Sequence, residues 1–375
     1  MKRICSLVLV LTLVLSCFSS LSITASAVSG GALSSNITWE LDADGVLTVS
    51  GNGAMPEFSE DEPSPFSSLS GLKRVVISEG ITSVGSYTFF GCTELKLVNL
   101  PSSITEIGLA AFLGCSLLKT ISVDENNMFF SADNGVLFSK DKKALVQYPA
   151  GKNLTSYTIP DGVTYIADAA FAYCNRLQSV VFSDSVENMG FAVFLGCSNL
   201  SAVELGENLT SIGELSFALC NSLYSIVIPD SVTSIGSNAF SECECLSSVF
   251  LGSGVKNIES SAFYFCPQLE SIVFPDSVET IGEEAFGDCE KLEHIIISDN
   301  VKIIGRNAFG GTAYYNNQDN WENEAKTNLI EEQARAFYAQ MTKKNWGLNT
   351  GCKTWEDQLQ IFVADMYCPL RFLNP

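Results

Sequence analysis

Basic residues are few beside acidic ones in this 375-residue chain, and histidine is nearly absent. Lys and Arg number 21 against 42 Asp and Glu, for a formal charge of −21. This balance argues against nucleic acid and anionic membrane as partners, because phosphate binding needs Lys/Arg stripes. A single histidine, His294, is present; a Ser-His-Asp triad needs buried orienting support that its neighbourhood does not offer. P-loop, Rossmann and H-E-x-x-H patterns are all missing. Charged residues make up only 17% against 46% hydrophobic ones, which excludes a disordered chain. Long apolar runs are also missing: spanning a bilayer takes roughly 20 residues, and no stretch reaches that.

The N-terminus is the nearest approach. Lys2 and Arg3 precede an apolar run from Ile4 to Leu15, and Ala25-Ser26-Ala27 forms a small-residue cleavage site before Val28. This is the pattern of a secretory signal peptide over residues 1–27. "VLSC", ending at Cys17, offers a lipidation reading as the alternative, which Val14 and Leu15 fit poorly.

What is present is a period. From Leu72 the chain divides into blocks of 23: "LKRVVISEGITSVGSYTFFGCTE", then "LKLVNLPSSITEIGLAAFLGCSL". After an irregular stretch, Leu118–Asn153, the frame resumes at Leu154 and runs without slip through Leu292, for nine complete units. The fourth and sixth positions are apolar, as in Ile226 and Ile228, and the tenth and thirteenth are aliphatic, as in Val232 and Ile235. The eighteenth is always Phe, from Phe89 to Phe309, and the twenty-first is Cys in eight of nine units. One such unit cannot close a core, but stacked units can, each position lying on its counterpart in the next coil. "LYSIVIP" alternates with period two and is a strand; identical strands stacked in one direction make a parallel sheet with neighbours about 4.8 Å apart. "SNAF" is expected to make a short helical or 3₁₀ turn on the outer side.

Cysteine is plentiful, 13 in all, but its spacing is the repeat period and not a ligand spacing. A row of thiols on parallel vectors does not build the tetrahedral site that zinc prefers. Cys packs as a small hydrophobe, and the row is expected to be core. So many unpaired thiols in an exported chain imply reducing surroundings.

The pattern L-x-x-I-x-I-P-x-x-V-x-x-I-G-x-x-A-F-x-x-C resembles the 23-residue leucine-rich repeat of BspA-like bacterial surface proteins, and "LYSIVIPDSVTSIGSNAFSECEC" carries it almost completely. The resemblance covers residues 72–314. It implies an α/β, right-handed leucine-rich-repeat solenoid with a parallel concave sheet, a secreted or cell-surface location, and adhesion or protein binding with no cofactor. "NITWELDADGVLTVSGNGAMPEF" carries a hairpin signal at Asp42–Gly45, so residues 28–71 read as an N-terminal cap. "FFSADNGVLFSKDKKALVQYPAGKN" is similar to a β-hairpin insertion, placed at about 124–153. Residues 315–375 read as a cap or helical tail: Ile330, Ala334, Phe337 and Met341 share one face, and so do Trp355, Leu359, Phe362 and Met366.

Two surfaces are candidates. The fifth position of each unit faces out of the concave sheet and holds Val181, Val227, Phe250, Val273 and Ile296, interrupted by Glu204. An apolar stripe flanked by small polar residues suits a protein ligand; the plain alternative is that β-branched residues suit a strand. The eighth position is acidic, with Asp161, Asp184, Glu207, Asp230, Asp276 and Asp299 among its members. Stacked, these carboxylates form a row that offers Ca²⁺ oxygen ligands, or else they cap turns. The expected function is binding of a host or matrix protein through the concave sheet, without enzyme activity. A targeting scaffold for a C-terminal module and a self-associating envelope component are the alternatives.

Overall fold

The computed structural model describes residues 27–316. Two compact units are distinguished, Met1–Gln318 and Asp319–Pro375, and the second lies outside the described residues. The expected signal peptide at 1–27 and the helical tail over 315–375 therefore fall almost wholly outside them; within them the C-terminal end contributes one turn of helix, Ala313–Asn316.

Equal unit length sets the register. Ser179–Val181 pairs in parallel with Ala202–Glu204, residue on residue, and Ser225–Val227 pairs likewise with Ser248–Phe250. A second parallel ladder, of two-residue strands, links Ser211–Ile212, Ser234–Ile235, Asn257–Ile258, Thr280–Ile281 and Ile303–Ile304. At the N-terminal end, antiparallel strands Ala27–Ser34 and Ile37–Asp42 cover Val46–Gly51, which pairs in parallel with Arg74–Ile77. The turn between the second and third of these strands is held by Asp42, whose side chain accepts from the N–H groups of Asp44 and Val46, while Gly45 takes φ +83°.

The core is a column of rings. Phe171, Phe194, Phe217, Phe240, Phe263 and Phe286 are fully buried. Neighbouring rings in the run from Phe194 to Phe286 stack nearly parallel with centroids 5.0–5.2 Å apart. Each such pair adds about 0.5–1.5 kcal/mol beyond the area it buries. A second, shorter column at the N-terminal end begins with Phe66, 5.3 Å from Phe89.

The convex side departs from expectation: among the described residues it contains no 3₁₀ or α-helical segment, only turns. Two residues per coil, the sixteenth and the twentieth, lie in the left-handed region; Leu215 and Leu219 have φ of 56° and 60°, and Asn238 and Glu242 of 54° and 58°. A right-handed helix cannot run through either. The alternation instead aims N–H groups out of the coil. Leu215, Phe217 and Leu219 donate to the carbonyls of Ser237, Ala239 and Ser241 in the next coil, while Ala218 N–H closes a turn within its own coil. The convex arc is thus a third inter-coil ladder. The same bonds recur in every coil that is followed by one of full length.

The irregular stretch is a hairpin coil. Phe130–Asp133 and Val136–Ser139 pair antiparallel across Asn134-Gly135, both with positive φ as a two-residue hairpin turn requires. Ala144–Gln147 then pairs in parallel with Tyr165–Ile166. Tyr148 takes the Phe position, stacked 5.1 Å from Phe171.

Candidate binding surface

The concave row lies where alternation puts it, on the sheet face opposite the buried fourth and sixth positions. Val227 pairs with Phe250 and Val273 with Ile296. Val181, Val227 and Val273 are half-buried and Glu204 is exposed. Phe250 and Ile296 are a correction to the sequence expectation: they are only 6% and 9% exposed. Alternation decides the face a side chain leaves from, not how much of it water reaches. The serines that flank the row are small; Ser225 and Ser248 are buried.

The acidic row is engaged in joining coils. Ser183 Oγ donates to Asp161 (2.7 Å), Glu207 N–H to Asp184 (3.0 Å) and Ser298 Oγ to Asp276 (2.9 Å). Asp230 accepts from both the N–H and the hydroxyl of Ser253 (2.6 and 2.9 Å). Glu79 does the same with Ser102, which holds its carboxyl below the usual range. Turn capping thus accounts for most of the row. Among the described residues no group of three or more His, Cys, Asp or Glu is arranged to hold a metal ion. Where the row meets the concave face, burial first and then the charges of Asp184 and Glu207 raise the Glu204 carboxyl; burial first and then Asp184 and Asp230 raise Glu207.

Each ladder thiol donates to the carbonyl of the aromatic residue in the coil before: Cys197 to Phe171 (3.0 Å), Cys220 to Phe194 (3.3 Å), Cys243 to Phe217 (3.1 Å). Cys suits the position because it is small, apolar and still a weak donor. Burial pushes the Cys197 and Cys243 thiols up to about 12, so neither supplies the thiolate that a nucleophile or a metal ligand requires. Cys245, two residues from the ladder, is exposed, and all nine described cysteines are free. His294 is exposed on the last concave strand.

Sequence reasoning missed the other half of the concave side. Arg74 Nε donates to Asn99 Oδ1 (2.9 Å) and Asn99 Nδ2 to Ser122 Oγ (2.5 Å), a polar ladder where later coils are apolar. Beside it Lys73, Lys96 and Lys119 are exposed on successive coils joined by backbone bonds of 2.8 and 3.0 Å. The signal was in the repeat: the residue after the opening Leu is Lys at Leu72, Leu95 and Leu118, and Glu at Leu269 and Leu292.

In-register parallel strands, an aromatic column and coils of constant length define a leucine-rich-repeat solenoid. The chain belongs to the family described as the BspA type leucine rich repeat region, whose model (6 copies) matches residues 62–136, 148–270 and 217–334. Among solved structures it is similar to a leucine-rich repeat protein from Eubacterium ventriosum, with 26% identity and a TM-score of 0.52 over 76% of this chain and 95% of that one. It is also similar to a T. pallidum leucine rich repeat protein, at 28% identity and a TM-score of 0.46 over 54% and 95% of the two chains. A leucine rich cell surface protein from Faecalibacterium prausnitzii matches at 22% identity and a TM-score of 0.42 over 77% and 99%. No curated protein matches the chain. Among the described residues no helix is long and apolar enough to cross a membrane.

Proposed function

We propose that the chain is an exported, surface-acting binding protein without enzyme activity, and that it takes a protein ligand on the concave sheet of its later coils. The observation that supports this is the in-register row of half-buried valines, Val181, Val227 and Val273, with the exposed carboxylate of Glu204 among them. An apolar strip of this kind beside an acidic edge suits a partner that presents an apolar segment flanked by basic residues. Export is supported by the charged, apolar and small-residue succession of residues 1–27. The test is binding of the full chain and of a Val181→Glu/Val227→Glu double variant to immobilised purified matrix proteins by surface plasmon resonance. Loss of binding by about tenfold or more in a variant that melts like the parent is expected. Equal binding by both chains would reject the concave face as the site.

A further inference from the structure

The hairpin coil interrupts the convex ladder. Between Leu145, which aligns with Ile166, and Tyr148, whose N–H donates to Ala170, its arc is two residues shorter than the others. Elsewhere, the sixteenth, eighteenth and twentieth N–H groups of a coil reach the carbonyls of the next full-length coil. In the coil that precedes the hairpin the corresponding groups, on Ala110, Phe112 and Gly114, have no acceptor among the described residues. Across the gap the carbonyls of Asp168 and Ala172 likewise accept no bond, while that of Ala170 is taken by Tyr148 and by the Gln147 amide. The missing residues leave a cavity of about 180 Å³ lined by Leu109, Ala110, Val146, Gln147, Tyr165 and Asp168. Leu109 and Tyr165 at its rim are 41% and 38% exposed.

We propose that this notch takes a short extended stretch of a partner protein's backbone, which completes the interrupted ladder. At the notch one wall presents the N–H of Ala110 and the other the carbonyl of Asp168, while Phe112, Gly114 and Ala172 lie beyond its lining. A polypeptide in extended form carries acceptors and donors on its two edges, the chemistry by which peptides add to exposed β-edges. Ala110, which lines the notch, is buried, so its unpaired N–H carries a desolvation cost that an incoming carbonyl removes. Leu109, Val146 and Tyr165 supply the apolar contact for one side chain of the stretch. The Asp168 carboxylate is already held by Phe191 N–H (2.8 Å) and the Tyr165 hydroxyl (3.5 Å) and serves to fix the wall. This site is independent of the concave face, and either stands if the other fails.

The probe is a blocked synthetic peptide copying residues 108–114, Gly-Leu-Ala-Ala-Phe-Leu-Gly, the arc of the coil that forms one wall of the notch. It is added at millimolar concentration to the full chain, and amide hydrogen exchange is followed residue by residue. Exchange at Ala110 is expected to slow by about tenfold while that at Phe194, in an unbroken arc, stays as it was. A Leu109→Glu variant, altered at a half-exposed rim position, is expected to lose most of that protection. Inserting Ala-Ala between Gln147 and Tyr148 restores the arc length and is expected to protect Ala110 without peptide. Unchanged exchange at Ala110 with peptide present, which would mean that the notch holds water only, overturns the proposal. So does equal protection in the Leu109→Glu chain.

Discussion

The solenoid contains two ring columns, built alike. The longer runs from Tyr148 to Phe309; the shorter comprises Phe66, Phe89 and Phe112, at 5.3 and 5.7 Å. No ring contact joins Phe112 to Tyr148, and the buried apolar residues fall into two clusters that meet at the hairpin, Leu137 in one and Val136 and Phe138 in the other. The concave surfaces differ in the same sense: polar and lysine-edged over the first coils, apolar and acid-edged over the later ones. The lesson is that a repeat stacks only as far as its coil length is kept. Nearest-neighbour contact carries nearly all the stability of such a stack, so two residues lost from one arc divide both the ring column and the outer ladder.

The largest expected effect concerns thiols. In the native chain iodoacetamide should label Cys245 more than about a thousandfold faster than Cys220 or Cys243, which must await unfolding of the long column. Cys115, on the last coil before the break, should be labelled sooner than either; peptide mapping reads all four. If Cys115 and Cys243 open together, the two columns are one cooperative unit and the division drawn above is wrong.

Ring removal separates the columns energetically. Phe240 has a stacked neighbour on each side, at 5.1 and 5.0 Å, and Phe240→Ala should cost about 4–5 kcal/mol in urea denaturation. Phe112 has one, and Phe112→Ala should cost about 3 kcal/mol. Equal costs would mean that stacking on the far side contributes nothing.

On the concave side, Phe250→Glu places an unpaired charge at a buried position and should cost about 2–4 kcal/mol. Val181→Glu, at a half-exposed member of the same row, should stay within about 0.5 kcal/mol. A Phe250→Glu chain that melted like the parent would return Phe250 to the accessible surface.

The smallest effect is electrostatic. The Glu204 carboxyl is raised by burial and by its acidic neighbours, so the folded chain holds that proton more tightly than the unfolded one. Its contribution to stability is therefore full at low pH and is lost as pH rises through the folded value. Glu204→Gln should raise Tm by about 1 °C near neutral pH and by nothing well below the carboxylate range; a rise at low pH only would reverse the sign argued here.

Much of this was legible in advance. Leu at the first position, Phe at the eighteenth and Cys at the twenty-first repeat every 23 residues, and identical units of equal length have one economical arrangement, like upon like. The convex arc was misread because its deciding residues carry no common side chain: the sixteenth position is Tyr87, Ala110, Leu215, Asn238 or Glu284, all with positive φ. Only the twentieth gave a hint, with Gly91, Gly114, Gly196 and Gly311 among its members. The burial of Phe250 was misread because alternation along a strand says nothing of what lies over it. The notch was not legible either, since a two-residue shortening inside an irregular stretch has no meaning until its neighbours on both sides are in place.

By itself, the sequence determined the repeat, its register and the dry interior, because these follow from which side chains recur at which interval. Tertiary structure alone decided which backbone groups find partners between coils. A hydrogen bond across the stack depends on the direction in which left-handed residues turn each N–H, and on whether the next coil is long enough to meet it.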